Sequence, residues 1–409
     1  MRSLNGETAL GQIFLRPCAV TLSPIFIIAP SSTQEGVQLN LDRLCRKGGA
    51  YPIGFVLAAQ HPDSDPTIYM PHRFGHSMKS KQIYPIIVTL IILLWLSYMI
   101  SAEQFVLFTK WWPMSLTMVL GSFVAGASAE GGAAVAFPVF TKALHIPATE
   151  ARTFGLMIQA VGMTTASIVI ITRGIKILPQ VIAWVSAGGV AGMIVGSLLI
   201  PIPIPYPKLL FTFVTAAFGL ALILSRWVLK WQPFDEFIIN TPTRRWLFLG
   251  IGLVGGIFAA NTGSGIDTLT FIVLTLAFGV NEKVSTPTTV VIMGLNSLVG
   301  FFTQAVLLQS IGIVWEYWLV CVPIVIFGAP FGAWVASRIS RDAIIYLLLT
   351  LITIELVTTI ILIPFTSTMV AFTLITIVVC TIWFAGMLRY RHKDKMTQAM
   401  PLPVSDATL

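Results

Sequence analysis

Two glycine-broken polar stretches interrupt long apolar sequence, Gly126-Ala-Ser-Ala-Glu-Gly-Gly132 and, in the second half of the chain, Gly256-Ile-Phe-Ala-Ala-Asn-Thr-Gly-Ser-Gly265. Each is followed by an apolar half-helix and then by a longer span carrying polar side chains. A helix break at membrane depth frees backbone N–H and C=O groups that lipid cannot satisfy, so it must line a cavity enclosed by protein. Two such breaks, similarly placed, imply a binding site between two internal repeats.

Composition supports the membrane reading. The chain is 56% hydrophobic and 10% charged, with a mean hydropathy of +0.86. Several apolar runs reach the roughly 20 residues needed to cross a hydrocarbon core. The formal charge of +8 is carried by short loops and the two ends, a distribution that reads as membrane orientation rather than nucleic-acid binding. The lipid bilayer is therefore the expected partner, together with a small anionic substrate; self-association is left open. Cys18, Cys45, Cys321 and Cys380 show no paired spacing and read as packing residues. No Walker-type loop, metal-ligand spacing or Ser-His-Asp set is present, so neither a cofactor nor a catalytic or metal site is expected.

Full spans are expected at Tyr84–Ile100, Thr153–Ile171, Leu178–Leu199, Leu209–Leu224, Val284–Leu308, Trp315–Ala336, Ala343–Ile363 and Met369–Leu388, with broken stretches at Leu116–Leu144 and Trp246–Val280. Each broken stretch reads as two arms of about 12 residues, near half a bilayer at 1.5 Å per residue. The organisation expected is an N-terminal extension (1–77), disordered or upstream of a true start at Met78; a first helix and loop (78–112); a first repeat (113–230); a cytoplasmic linker (231–245); a second repeat (246–364); a last helix (365–388); and a basic cytoplasmic tail (389–409).

Loop charges decide how the broken stretches run. If both re-enter and leave on one side, with the N-terminus cytoplasmic, the inside loops hold Arg173, Lys176, Arg226, Lys230, Arg244, Arg245, Lys283, Arg338 and Arg341. The outside loops then hold only Lys110, Lys142, Arg152 and Lys208. If both cross fully, the bias vanishes, so the positive-inside rule favours re-entrant hairpins. Each repeat then has one hairpin and three crossings, an odd number, and the second copy is inverted. The fold expected is an all-α polytopic membrane protein of eight transmembrane helices plus two re-entrant glycine-rich hairpins in inverted repeats.

The candidate substrate-binding residues lie at the breaks and on the spans that follow them. Gly131, Gly132, Gly263 and Gly265 would shape the tips, and Ser128, Thr262 and Ser264 would donate to substrate. The arms after the tips begin with free N–H groups and a positive dipole end, which together suit an anion. Close packing of small residues is the competing reading of the glycines. Glu130 and Asp267, placed near the midplane, are candidates for proton coupling; for Asp267 capping of its own arm weighs equally. Gln159 and Asn296, midway along their spans, are candidate ligands for the same substrate, although interhelical hydrogen bonding also accounts for such residues. Glu355, away from the centre, is expected to have a structural partner.

Gly126 to Pro138, with its Glu-Gly-Gly, resembles the first motif of the TauE/SafE sulfite-exporter-like permease family. Gly255-Gly256 through Ser264-Gly265, then Ser285-Thr-Pro-Thr and Leu295-Asn-Ser-Leu298, is similar to its second motif, the likeness covering roughly Met114 to Leu388. That resemblance implies a secondary transporter, not an enzyme, for sulfite, a sulfonate or a related sulfur oxyanion in the plasma membrane. An anion channel built from the same broken helices is the alternative.

Overall fold

The computed structural model describes residues 80–399 apart from 204, 230–232, 236 and 240. The expected N-terminal extension and Met78 lie outside the described residues. Among the described residues twelve α-helices follow one another: α1 (Ser80–Ser101), α2 (Leu107–Ala127), α3 (Ala133–Pro138), α4 (Ala148–Thr172), α5 (Pro179–Leu198), α6 (Tyr206–Ile223), α7 (Pro242–Thr262), α8 (Ile266–Ile272), α9 (Glu282–Phe302), α10 (Val314–Arg338), α11 (Arg341–Leu362) and α12 (Ser367–Ala399). Nine helices among the described residues are long and apolar enough to cross a membrane. All eight expected spans are among them. The protein is an all-α, multi-pass membrane protein.

The ninth is α7, the first arm of the second broken stretch. Half-length arms describe only α3 and α8 with the π-helical turns that extend them, Val139–Ala143 and Val273–Ala277. The first arms, α2 and α7, are 21 residues each. Their greater length has local causes. α7 starts early because Thr241 caps it, accepting from the Arg244 amide at 3.4 Å, with Pro242 in the first turn. α2 starts early through a bend at Trp111 ahead of Pro113, where the ring removes a helical hydrogen bond.

At both breaks the chain doubles back. Gly132 lies against Gly121 and Ala125, and Ile266 lies against Gly255. The segments α2–α6 and α7–α11 then correspond in order, and their packing is exchanged. α2 runs parallel to α10, through Lys110–Glu316, Ser115–Val320 and Ser122–Gly328. Its counterpart α7 runs parallel to α5, the counterpart of α10, with Gly188, Gly192 and Gly196 against Leu249, Leu253 and Ile257. At the centre the equivalent helices α4 and α9 cross antiparallel: Gly294 meets Met163, and Gly300 meets Leu156. This is the relation inverted repeats require.

The close packing expected of small residues is real, but it belongs to these helix pairs. A Cβ on Gly188 would lie 2.0 Å from the Leu249 carbonyl oxygen, and one on Gly126 would lie 1.9 Å from that of Ala329. Only glycine lets the backbones approach so closely, which is how helices associate without a hydrophobic driving force. The segment between α6 and α7 is held by two backbone bonds of 2.8 Å, Phe234 N–H to Gly279 O and Asn281 N–H to Phe234 O.

Candidate functional site

The two breaks meet. Thr268, in the first turn of α8, donates its hydroxyl to the Ala129 carbonyl at 2.7 Å. A Cβ on Gly131 would lie 2.9 Å from Ser264 Oγ and 3.4 Å from Asp267 Oδ2. From α4, Gln159 donates through Nε2 to the Gly263 carbonyl at 3.1 Å. Glu130, Gly131, Gln159, Gly263, Ser264, Asp267 and Thr268 therefore share one buried region. Gly131, Gly263 and Gly265 have φ of 70°, 87° and 130°, the left-handed turns that the break requires. Gly132 does not; it has φ of −70° and starts α3 in right-handed geometry.

The hydroxyls differ in what they have left to offer. Ser128 donates to the Val124 carbonyl at 3.0 Å and accepts from the Glu130 amide at 3.4 Å. Thr262 has both the Phe258 carbonyl, at 2.9 Å, and the Ser264 carbonyl as acceptors for its single proton. Both side chains hold the shape of their own break. Asp267 Oδ1 accepts from the Gly265 and Thr268 amides, each at 3.0 Å. The carboxylate therefore caps α8 and occupies the place at its N-terminus where an anion would otherwise sit. α3 has no such side-chain cap, so the two tips are chemically unequal.

Several polar atoms here are buried and unmatched. Glu130 Oε2 and Gln159 Oε1 have no hydrogen-bond partner, and Asp267 Oδ2 has only the neighbouring Ser264 hydroxyl, without a well-formed bond. Asn296 donates to the Ile292 carbonyl of its own helix at 2.8 Å, while its Oδ1 is unmatched and faces Gly189 beside α8. Unpaired buried polar atoms cost about 1–3 kcal/mol each, so their gathering at one place marks a site built for something else to pair with them. A water-sized cavity opens beside them, lined by Ser122, Gly132, Phe137, Gly155, Gln159 and Thr262.

The charged surroundings include two cations that the sequence pattern places in loops. Lys208, in the first turn of α6, forms an ion pair with Glu355, which is fully buried and also accepts from Thr212 at 2.9 Å. Glu355 thus has the structural partner expected of it. Lys208 Nζ also lies 4.5 Å from the centre of the Phe137 ring, and Lys208, Glu355 and Asp267 are all within electrostatic range of Glu130. Arg152 is half-buried; its Nε is wholly buried without a partner, and its backbone abuts Gly263. The signal for Arg152 is its spacing, since it shares a face of α4 with Gly155 and Gln159.

Nine membrane-length helices among the described residues and a small, mainly apolar cavity beside the point where the broken helices meet describe a multi-pass membrane protein. Residues 114–359 match the family of the sulfite exporter TauE/SafE. The chain belongs to that family, whose members are membrane transporters of sulfur anions, and the match takes in both breaks while leaving α1 and α12 outside. No curated protein and no solved structure matches the chain.

Proposed function

We propose that the protein is a secondary transporter of a small sulfur oxyanion, sulfite or an organosulfonate, which binds where two re-entrant hairpin tips meet. The observation that carries this reading is the Ser264 hydroxyl, buried between the tips without a well-formed hydrogen bond, beside Glu130 and Asp267, whose unmatched carboxyl oxygens can face an oxyanion only when they carry a proton. Ser264, Gln159 and the backbone of Gly131, Gly132, Gly263 and Gly265 would hold the anion, with Asn296 alongside α8. Ser128 and Thr262 would shape the breaks. A carboxylate facing the anion opposes it unless protonated, so Glu130 and Asp267 would carry a proton with the substrate.

Re-entrant placement is supported by the doubling back at each break, by the antiparallel crossing of α4 and α9, which two full crossings would make parallel, and by loop charges that favour cytoplasmic termini. The family match is the ground for a plasma-membrane location, and the correspondence of α2–α6 with α7–α11 is the ground for 113–230 and 246–364 as the two repeats.

The test is uptake of radiolabelled sulfite, thiosulfate, sulfoacetate and phosphate into proteoliposomes, with and without a pH gradient. Saturable flux of a sulfur anion that rises with the gradient supports the proposal. Preference for phosphate, or flux indifferent to pH, removes the substrate or the coupling respectively. Ohmic current in planar bilayers identifies a channel instead.

A further inference from the structure

A second cavity lies on the other side of the first break from Gly132, lined by Gly126, Ile175, Lys283, Thr286, Pro287 and Ser337. It opens at the face carrying the ends of α4 and α10 and the start of α9, where Arg173, Arg338 and Arg341 also lie. Three polar side chains, Lys283, Thr286 and Ser337, stand in an otherwise apolar wall. Thr286 is 1% exposed, and its hydroxyl has no hydrogen-bond partner. Lys283 is half-buried; its backbone amide is taken by the Asn281 side chain at 3.1 Å, while its ammonium group forms neither an ion pair nor a hydrogen bond among the described residues. The nearest acid in sequence, Glu282, is engaged on both oxygens by Arg341. All of this sits in the first turns of the 21-residue helix α9, whose dipole presents positive charge there.

We infer that this cavity is a second anion-binding site, in which Lys283 and Thr286 hold the small oxyanion on the arginine-rich face before or after it passes the tips. An ammonium group without a counter-ion, a buried hydroxyl without an acceptor and a helix N-terminus form a donor set for an oxyanion. None of the residues lining the cavity carries a negative charge. The geometry also gives Gly126 a role beyond packing: the single break Gly126–Gly132 separates the two cavities, one on each side. Lys283 is a binding residue here, and Arg341 acts as a positioning residue by keeping Glu282 away from the ammonium.

The inference rests on the transport reading, and the two fail separately. Radiolabelled sulfite uptake is measured into inside-out and right-side-out vesicles from cells producing the wild type, Lys283→Gln, Lys283→Arg and Thr286→Val. Lys283→Gln is expected to raise KM for sulfite about tenfold or more on the arginine-rich face, with KM on the opposite face changed far less. Thr286→Val should act in the same direction, and Lys283→Arg should restore most of the affinity. An unchanged KM in Lys283→Gln, or an equal rise on both faces, overturns the second site. Loss of protein from the membrane in Lys283→Arg as well as Lys283→Gln assigns the lysine to folding and overturns it too. Absence of saturable wild-type flux on either face overturns the transport reading itself.

Discussion

At a φ of 130° Gly265 holds backbone that side chains rarely adopt, and a Cβ there would lie 2.6 Å from the Phe258 ring. Strain of this kind costs about 1–3 kcal/mol, and here it would fall on the turn that aims Ser264 and Asp267 at the first tip. Gly265→Ala is therefore expected to reduce anion flux about tenfold at matched amounts of inserted protein. Gly250→Ala serves as the control, because nothing lies within 4 Å of a Cβ at Gly250; equal flux in both would remove the second tip from the site. Asp267 separates its two candidate roles by chemistry. Asp267→Asn keeps an oxygen to accept from the Gly265 and Thr268 amides, so it should fold normally and lose only the response of flux to a pH gradient. Asp267→Ala also loses the cap, a cost of about 0.5–2 kcal/mol, and should melt earlier in detergent. If Asp267→Asn keeps full pH dependence, Asp267 is a cap alone. The capping role was legible in sequence, because a carboxylate one residue into a helix reaches its own amides. Its approach to Gly131 was not, since that contact joins residues from different repeats.

Among the elements, the breaks were legible because glycines beside polar residues rarely interrupt an apolar span unless the helix ends there. Arm lengths were not, because the start of α7 depends on the Thr241 cap, and small residues continue the helix once packed on α5. Membrane placement of the breaks is open to direct test. Lys142 follows α3 and Lys283 opens α9; re-entrant hairpins put these positions on opposite faces, whereas full crossings put them on the same face. Impermeant maleimide applied from one side should label Lys142→Cys or Lys283→Cys but not both. Labelling of both from one side would refute the hairpins. The link between α6 and α11 is another element-level feature that sequence showed only in part: Glu355 stood out as a charge in a span, while Lys208 looked like a loop residue after Pro205. Glu355→Gln leaves the Lys208 ammonium without its counter-ion in a buried setting, a loss of about 3–5 kcal/mol by analogy with broken buried pairs. Replacing both partners, as Lys208→Met with Glu355→Leu, should cost much less, and thermal melting of the purified protein in detergent compares the two. Equal melting points would mean that the pair is solvated and weak.

For the whole molecule, the exchanged packing of the two halves and two small cavities bear on how an anion could pass. The cavity beside Gln159 and the cavity beside Thr286 flank one break, and between them the tips are in contact through Thr268 and Ala129 and through Gly131 and Ser264. Each cavity is only water-sized, so on the proposed transport reading an oxyanion would pass only after one half moves against the other. On the proposed transport reading, inverted repeats would supply that movement at little energetic cost, because exchanging the roles of the two halves would give a second state of similar packing. If so, the cavities open alternately. Gln159→Cys and Thr286→Cys, each as a single replacement, report the two sides. Their rates of reaction with maleimide, measured in vesicles under pH gradients of opposite sign, should change in opposite directions: conditions that speed labelling at Gln159→Cys should slow it at Thr286→Cys. A pore would give rates that rise and fall together, because opening the tips would wet both cavities at once. Parallel changes would therefore replace alternating access with a channel while leaving the membrane fold and the family unaltered.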